Sequence, residues 1–188
     1  MNFEIGREAR GVLLALARES IASGLEGREP RYPETAAFPV LGEPRGAFVS
    51  LYATDARGKR GLRGCIGRLV ASLPLEETVR VMAREAAFGD PRFPPLTKSE
   101  LAGCRLEISA LSPMEVCADP GLVEVGVHGL YLTLGARSGV LLPQVPVEQG
   151  WDRERYLDYV SVKAGLPAGS HNAPGARLCT FTASVFGE

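Results

Sequence analysis

The chain has 188 residues, 45% hydrophobic and 23% charged, with a formal net charge of -1. That length suits one ordinary domain or two small lobes sharing a core, and the composition excludes disordered and collagen-like classes. The near-neutral charge removes the electrostatic footprint of phosphate-backbone binders, so nucleic acid is not an expected partner.

In chain order, residues 7–25 place Ala9, Val12, Leu13, Leu16, Ala17 and Ile21 at helical spacing and predict an amphipathic helix. A proline-rich connecting loop over 26–44 leads to a predicted hairpin: strand GAFVSLYAT (46–54), turn DARGKRG (55–61) and strand LRGCIGRL (62–69). The stretch 72–88 has a proline and acids near its start and apolar Leu75, Val79, Met82 and Ala86, which predicts a second helix. GDPRFPPLTKSEL (89–101) is a proline-stiffened loop ending in a capping box, TKSE. CRLEISAL (104–111) alternates, with Leu106, Ile108 and Ala110 on one face and Arg105, Glu107 and Ser109 on the other. LYLTL, GARSG and VLLPQV (130–145) predict a second hairpin, 152–167 the last long helix, and RLCTFTASVF (177–186) one closing strand. Hairpin, helix and strand thus occur twice in the same order, although no repeated sequence accompanies them. The fold class expected is α+β: a compact two-lobed arrangement over 1–188, with a mixed or antiparallel sheet, hairpin–helix–strand units and flanking helices.

Cys65, Cys104, Cys117 and Cys179 are widely separated, and only His128 and His171 could join them. This is poor zinc spacing, so no metal site is predicted. A disulfide framework is equally unexpected in a chain this long and apolar, which points to a reducing cytoplasm. The amino-terminal MNFEIGREARG lacks the apolar core of a signal peptide, and no apolar run reaches the ~20 residues of a membrane helix. No membrane partner is expected, and the sequence names no cofactor.

Strand alternation puts Arg63 and Cys65 on one face, with Leu62 and Ile66 anchored in the core behind them. A guanidinium ~7 Å from a thiol favours the thiolate where water is partly excluded. Gly64 and Gly67 leave room for another backbone or a ligand to approach. Cys65 therefore reads as a thiol at the floor of a cleft, or else as a small buried hydrophobe, the commoner fate of a free cysteine. His128 is the histidine placed to act as its base, because His171 lies in the flexible-looking AGSHNAPGA; the alternative is a turn residue. Glu107 could orient His128 or pair with Arg63, or lie on a solvated strand face.

Asp90 and Arg92 stand on the proline-stiffened loop as candidate ligand contacts, or as an internal pair that folds it. Gln144, expected at the end of a hydrophobic strand, could read a ligand's polar edge, or cap a turn. The architecture expected is one solvent-reachable cleft between two lobes of a shared sheet, lined by Cys65, Arg63 and Gln144. Asp152 reads as an N-cap, with Trp151 and Tyr156 as a hydrophobic staple. GARSG lacks the strand-to-helix setting of a phosphate loop.

LRGCIG, DPRFPPLT, GVHG, RSGVLLPQV, EQGWD and KAGLP occur in the order found in the AMMECR-type domain family, which the chain resembles from its first helix to FTASVFGE. The resemblance implies a compact α+β fold with two lobes and a cleft near LRGCIG. It further implies a pathway shared with Memo-like and radical S-adenosylmethionine proteins, without implying a particular reaction. Two functions are carried forward. One is a small cytoplasmic enzyme or enzyme subunit using Cys65; the other is a non-catalytic module binding a small molecule or protein.

Overall fold

A computed structural model describes residues 3–54 and 58–188, so the first three residues of the turn expected over 55–61 lie outside the described ones. The principal elements are α1 (Arg7–Glu26), β1 (Ala47–Thr54), β2 (Arg60–Arg68), α2 (Leu75–Phe88), α3 (Lys98–Leu101), β3 (Arg105–Leu111), β4 (Glu115–Val116), β5 (Gly129–Leu134), β6 (Arg137–Leu141), α4 (Gln144–Gln149), α5 (Arg153–Lys163), β7 (Arg177–Phe181) and β8 (Ala183–Gly187). Together they make an α+β fold with two four-stranded sheets, not the one shared sheet expected.

The chain divides into two compact units. The first comprises Glu4–Leu111 and Ser184–Glu188, with sheet order β2-β1-β3-β8. Its core forms where α1 and α2 bury the apolar stripes that their spacing predicts: Ala9, Leu13, Leu16, Ala17 and Ile21 from α1, and Leu75, Val79, Met82 and Ala86 from α2. Val49, Leu51, Leu106 and Ile108 supply the buried sheet face. The second unit comprises Ser112–Ala183 with Phe3, and its sheet order is β4-β7-β5-β6. Its core gathers Leu130, Leu132, Leu141, Leu157, Val160 and Leu178 around Tyr156. The Tyr156 hydroxyl lies 3.0 Å from the His128 carbonyl and 3.2 Å from that of Leu141, tying α5 to the ends of both hairpin strands.

The repeated order visible in the sequence is a repeated topology. In each unit the first hairpin strand lies between its hairpin partner and the strand that follows the helix: β2-β1-β3 in one, β6-β5-β7 in the other. The registers match as well. Leu51 pairs with Gly64 and Leu106, as Leu132 pairs with Gly139 and Leu178. A Cβ on Gly64 would overlap the Ala86 carbonyl oxygen near the end of α2, and one on Gly139 would overlap backbone at the end of α5. Both glycines let a helix end press on the second hairpin strand.

Four expectations change. The closing strand is two strands, β7 and β8, which separate at Thr182 and join different sheets. Gln144 opens α4 instead of ending a strand, because Pro143 cannot donate to a ladder. Trp151 stacks on Tyr159 at 4.0 Å, although Asp152 is the N-cap expected, accepting from the Arg155 N–H at 2.8 Å. His171 lies in an ordered 3-10 turn, Ser170–Asn172, whose His171 N–H donates to the Ser161 hydroxyl at 3.2 Å.

Candidate functional site

The β2 strand departs from regular alternation at one point. Leu51 pairs with Gly64 and Tyr52 with Leu62, so Arg63 is an extra residue in a β-bulge. The bulge reverses the facing of everything before it. Leu62 leaves the core face, where alternation predicts it, and is 39% exposed, while Ile66 keeps its place opposite Val49 and is half-buried. The Arg63 guanidinium turns to Glu100, with Nε–Oε1 at 2.8 Å and Nη2–Oε2 at 3.2 Å. Arg63 does not share the outer sheet face with Cys65 as a strand neighbour. Glu100 also accepts from the Thr97 N–H at 2.9 Å and the Thr97 hydroxyl at 2.8 Å, in the expected TKSE cap. Arg63 first, then Thr97, bring its carboxyl down to about 2.

Cys65 is held from both sides of its peptide. Its N–H donates to Asp90 Oδ2 at 2.8 Å, and its carbonyl accepts from Arg92 Nη2 at 3.2 Å. Asp90 is 4% exposed, and its two oxygens also take the Arg92 N–H, Nε and Nη2 at 3.1, 2.9 and 2.7 Å. The guanidinium of Arg92, ahead of the amide donors, keeps the Asp90 carboxyl well below the usual carboxylate range. This pair does for the exposed edge of β2 what a further strand would do.

The side chain of Cys65 lies on the face of the sheet away from α1 and α2. Register places Cys65, Ser50 and Glu107 in one row across β2, β1 and β3. The Ser50 hydroxyl donates to Cys65 Sγ at 3.2 Å, and the Tyr52 hydroxyl donates to Glu107 Oε1 at 3.2 Å. All four residues are half-buried. Beyond them, Phe48 lies across Gly67, where a Cβ would strike its ring. The face closes in that direction: Ser109, opposite Phe48, is buried, whereas Arg60, Leu62 and Arg105 at the hairpin end are exposed. Sequence reasoning missed Ser50 and Tyr52. Their signal is alternation in FVSLYAT, which sets Phe48, Ser50 and Tyr52 opposite the apolar Val49 and Leu51.

Cys65, Gly64, Gly67, Glu107, Asp90 and Arg92 thus gather around β2 in the first unit, with Arg63 directed to Glu100. His128 and Gln144 belong to the second unit. His128 Nδ1 accepts from the Glu124 N–H at 3.0 Å, closing its own turn, and Gln144 Oε1 is buried without a hydrogen-bond partner. Cys104 is buried, and burial pushes its thiol up from the ordinary value. Among the described residues no group of three or more His, Cys, Asp or Glu is placed to hold a metal ion, and no helix is long and apolar enough to cross a membrane.

The class defined by these features is a twofold-repeated α+β protein in which one repeat carries a thiol, a hydroxyl and a carboxylate in register. Residues 14–186 match the AMMECR1 family model, and the chain belongs to that family. A protein of Methanopyrus kandleri is 42% identical over 197 residues, covering 100% of this chain and 92% of its own. One from Nanoarchaeum equitans is 35% identical over 182 residues, covering 94% and 98%. The crystal structure of the uncharacterised protein PH0010 from Pyrococcus horikoshii superposes with a TM-score of 0.87 at 37% identity, over 99% of this chain and 94% of that one.

Proposed function

We propose that this AMMECR1-family chain is a small cytoplasmic enzyme or enzyme subunit that uses the Cys65 thiol, in a pathway shared with Memo-like and radical S-adenosylmethionine proteins. The observation that supports the thiol's role is the internal repeat. The row equivalent to Cys65–Ser50–Glu107 in the second unit is Val140–Tyr131–Cys179. The same scaffold therefore packs without a polar row at these positions, and the first unit keeps one, with the Cys65 peptide at the edge of the row clamped by Asp90 and Arg92.

A hydroxyl donating to sulfur favours the thiolate. In this reading Ser50 donates to the sulfur, and Glu107, one strand beyond Ser50 in the same row, accepts a proton from the bound substrate and not from the thiol. Arg92 is paired with Asp90 as Arg63 is with Glu100, so it serves by holding the Cys65 carbonyl and not as a free cation, and His128 is not required. Gly64 and Gly67 serve by keeping the strand close to α2 and to Phe48.

A non-catalytic binding module is the second reading. It is favoured by the commitment of Arg63 to Glu100, which removes the activating cation expected from the sequence. Complementation separates the two, in a host where loss of its own family member slows growth. The enzyme reading predicts that Cys65→Ala and Cys65→Ser both fail to restore growth. Wild-type growth with Cys65→Ala contradicts it and supports the binding module.

A further inference from the structure

We infer that the site takes an anionic small molecule, whose carboxylate, sulfonate or phosphate group rests near Arg60 and Arg105 while its reacting end lies at Cys65; this substrate class rests on the reading of Cys65 as the functional thiol. Three observations converge. On the outer face of the first sheet Ser109 is buried and Phe48 half-buried at one end, whereas Arg60, Leu62 and Arg105 at the hairpin end are exposed, so the hairpin side is the more open approach to the thiol. The row it crosses is Leu62–Tyr52–Arg105, with Arg60 next along β2. Arg60 lies over the Tyr52 ring, 4.1 Å from its centroid, which holds the guanidinium flat on this face.

Among the described residues neither Arg60 nor Arg105 forms an ion pair within contact distance, whereas Arg63 and Arg92 do. Among the described residues the carboxylates in the neighbourhood are Glu107, which accepts the Tyr52 hydroxyl, Glu100, which is held by Arg63, and Glu188, which is held by Arg18 at 2.5 Å and also feels the charge of Arg105. The hairpin end of the face therefore offers guanidinium groups with donors to spare, one row or ~7 Å from the thiol row. A cavity of about 260 Å³ at the hairpin end is lined by Thr54, Lys59, Arg60, Leu62 and Arg63, and does not extend to Arg105 or Cys65. Its size suits one small polar group better than a whole cofactor.

The test uses two thiol reagents of similar size and opposite charge, 2-sulfonatoethyl and 2-(trimethylammonio)ethyl methanethiosulfonate. In each, the thiolate attacks the sulfenyl sulfur, a mixed disulfide forms and methanesulfinate leaves. The charged end then lies about one row from the sulfur. Rates at Cys65 are read by peptide mass spectrometry on the whole folded chain at low salt. Arg60→Gln and Arg105→Gln are each expected to lower the ratio of anionic to cationic rate roughly threefold or more. Half-molar salt should erase most of the difference. Both side chains are exposed, and unchanged circular dichroism checks each variant's fold.

The same ratio in wild type, both single variants and the double variant overturns the inference. So does a Cys65 that neither reagent modifies, because the open path to the sulfur would then be absent. The ratio does not depend on whether Cys65 is essential. Growth with Cys65→Ala would end the enzyme reading and leave this charge preference standing, so the two failures are distinct.

Discussion

The Cys65 amide donates to Asp90 Oδ2 at 2.8 Å, so a carboxylate from the loop after α2 fixes the backbone of the thiol residue. Asp90→Asn keeps the shape but weakens the pair with Arg92. It should cost about 2–3 kcal/mol, because it disrupts a buried, fully bonded carboxylate. Chemical denaturation checks the stability, and backbone amide exchange at Cys65 should accelerate in the same variant.

Glu100 gives a pH signature. Its folded value of about 2 lies below the ordinary 4.5, with Arg63 as the first cause. A depressed carboxylate stabilises the fold fully above its unfolded value, and that stability is lost as pH falls through the folded value. Denaturant midpoints should therefore drop as pH is lowered from 4.5 toward about 2, and Glu100→Gln should flatten part of the drop.

Gly64→Ala and Gly139→Ala test the two places where helix and hairpin touch. In each the new Cβ meets backbone atoms, which cannot turn aside as a flexible side chain can. Each should destabilise its unit by about 3 kcal/mol or more, measured by calorimetry. For Gly67→Ala the three nearest atoms all belong to the Phe48 ring, a side chain that can turn, and the change should cost less.

Tyr156→Phe removes the buried hydroxyl beside the His128 and Leu141 carbonyls. Leaving those acceptors short of a donor should cost about 1–3 kcal/mol by denaturant unfolding. The phenol resists ionisation, since burial pushes its value well above the ordinary one.

Much of this was legible in the residues. Period-3.6 stripes located α1 and α2, alternation located β3, and the turn chemistry located both hairpins. The order of elements also carried the repeat, although no sequence identity accompanied it. The bulge was not legible. LRGCIGRL reads as a regular strand, and only pairing with β1 shows that the strand begins at Arg60 and that Arg63 is the extra residue. That single insertion moves Leu62 out of the core and sends Arg63 to Glu100. The row through Ser50 was hidden for a related reason: cross-strand neighbours depend on register, which spacing within one strand does not fix. Asp90 and Arg92 form the internal pair that the sequence offers as the alternative to ligand contacts. Their grip on the Cys65 peptide spans 25 and 27 residues and belongs to tertiary structure.

In the proposed function Ser50 and the clamped β2 strand make Cys65 a reactive thiol. The most direct test is the iodoacetamide rate at each cysteine of the folded protein near neutral pH. Cys65 should react faster than the same residue in the urea-unfolded chain, Cys104 should be slow, and Ser50→Ala should slow Cys65 roughly fivefold while Arg63→Ala changes it little. A Cys65 that alkylates no faster than Cys104 in the folded protein would contradict that reactivity.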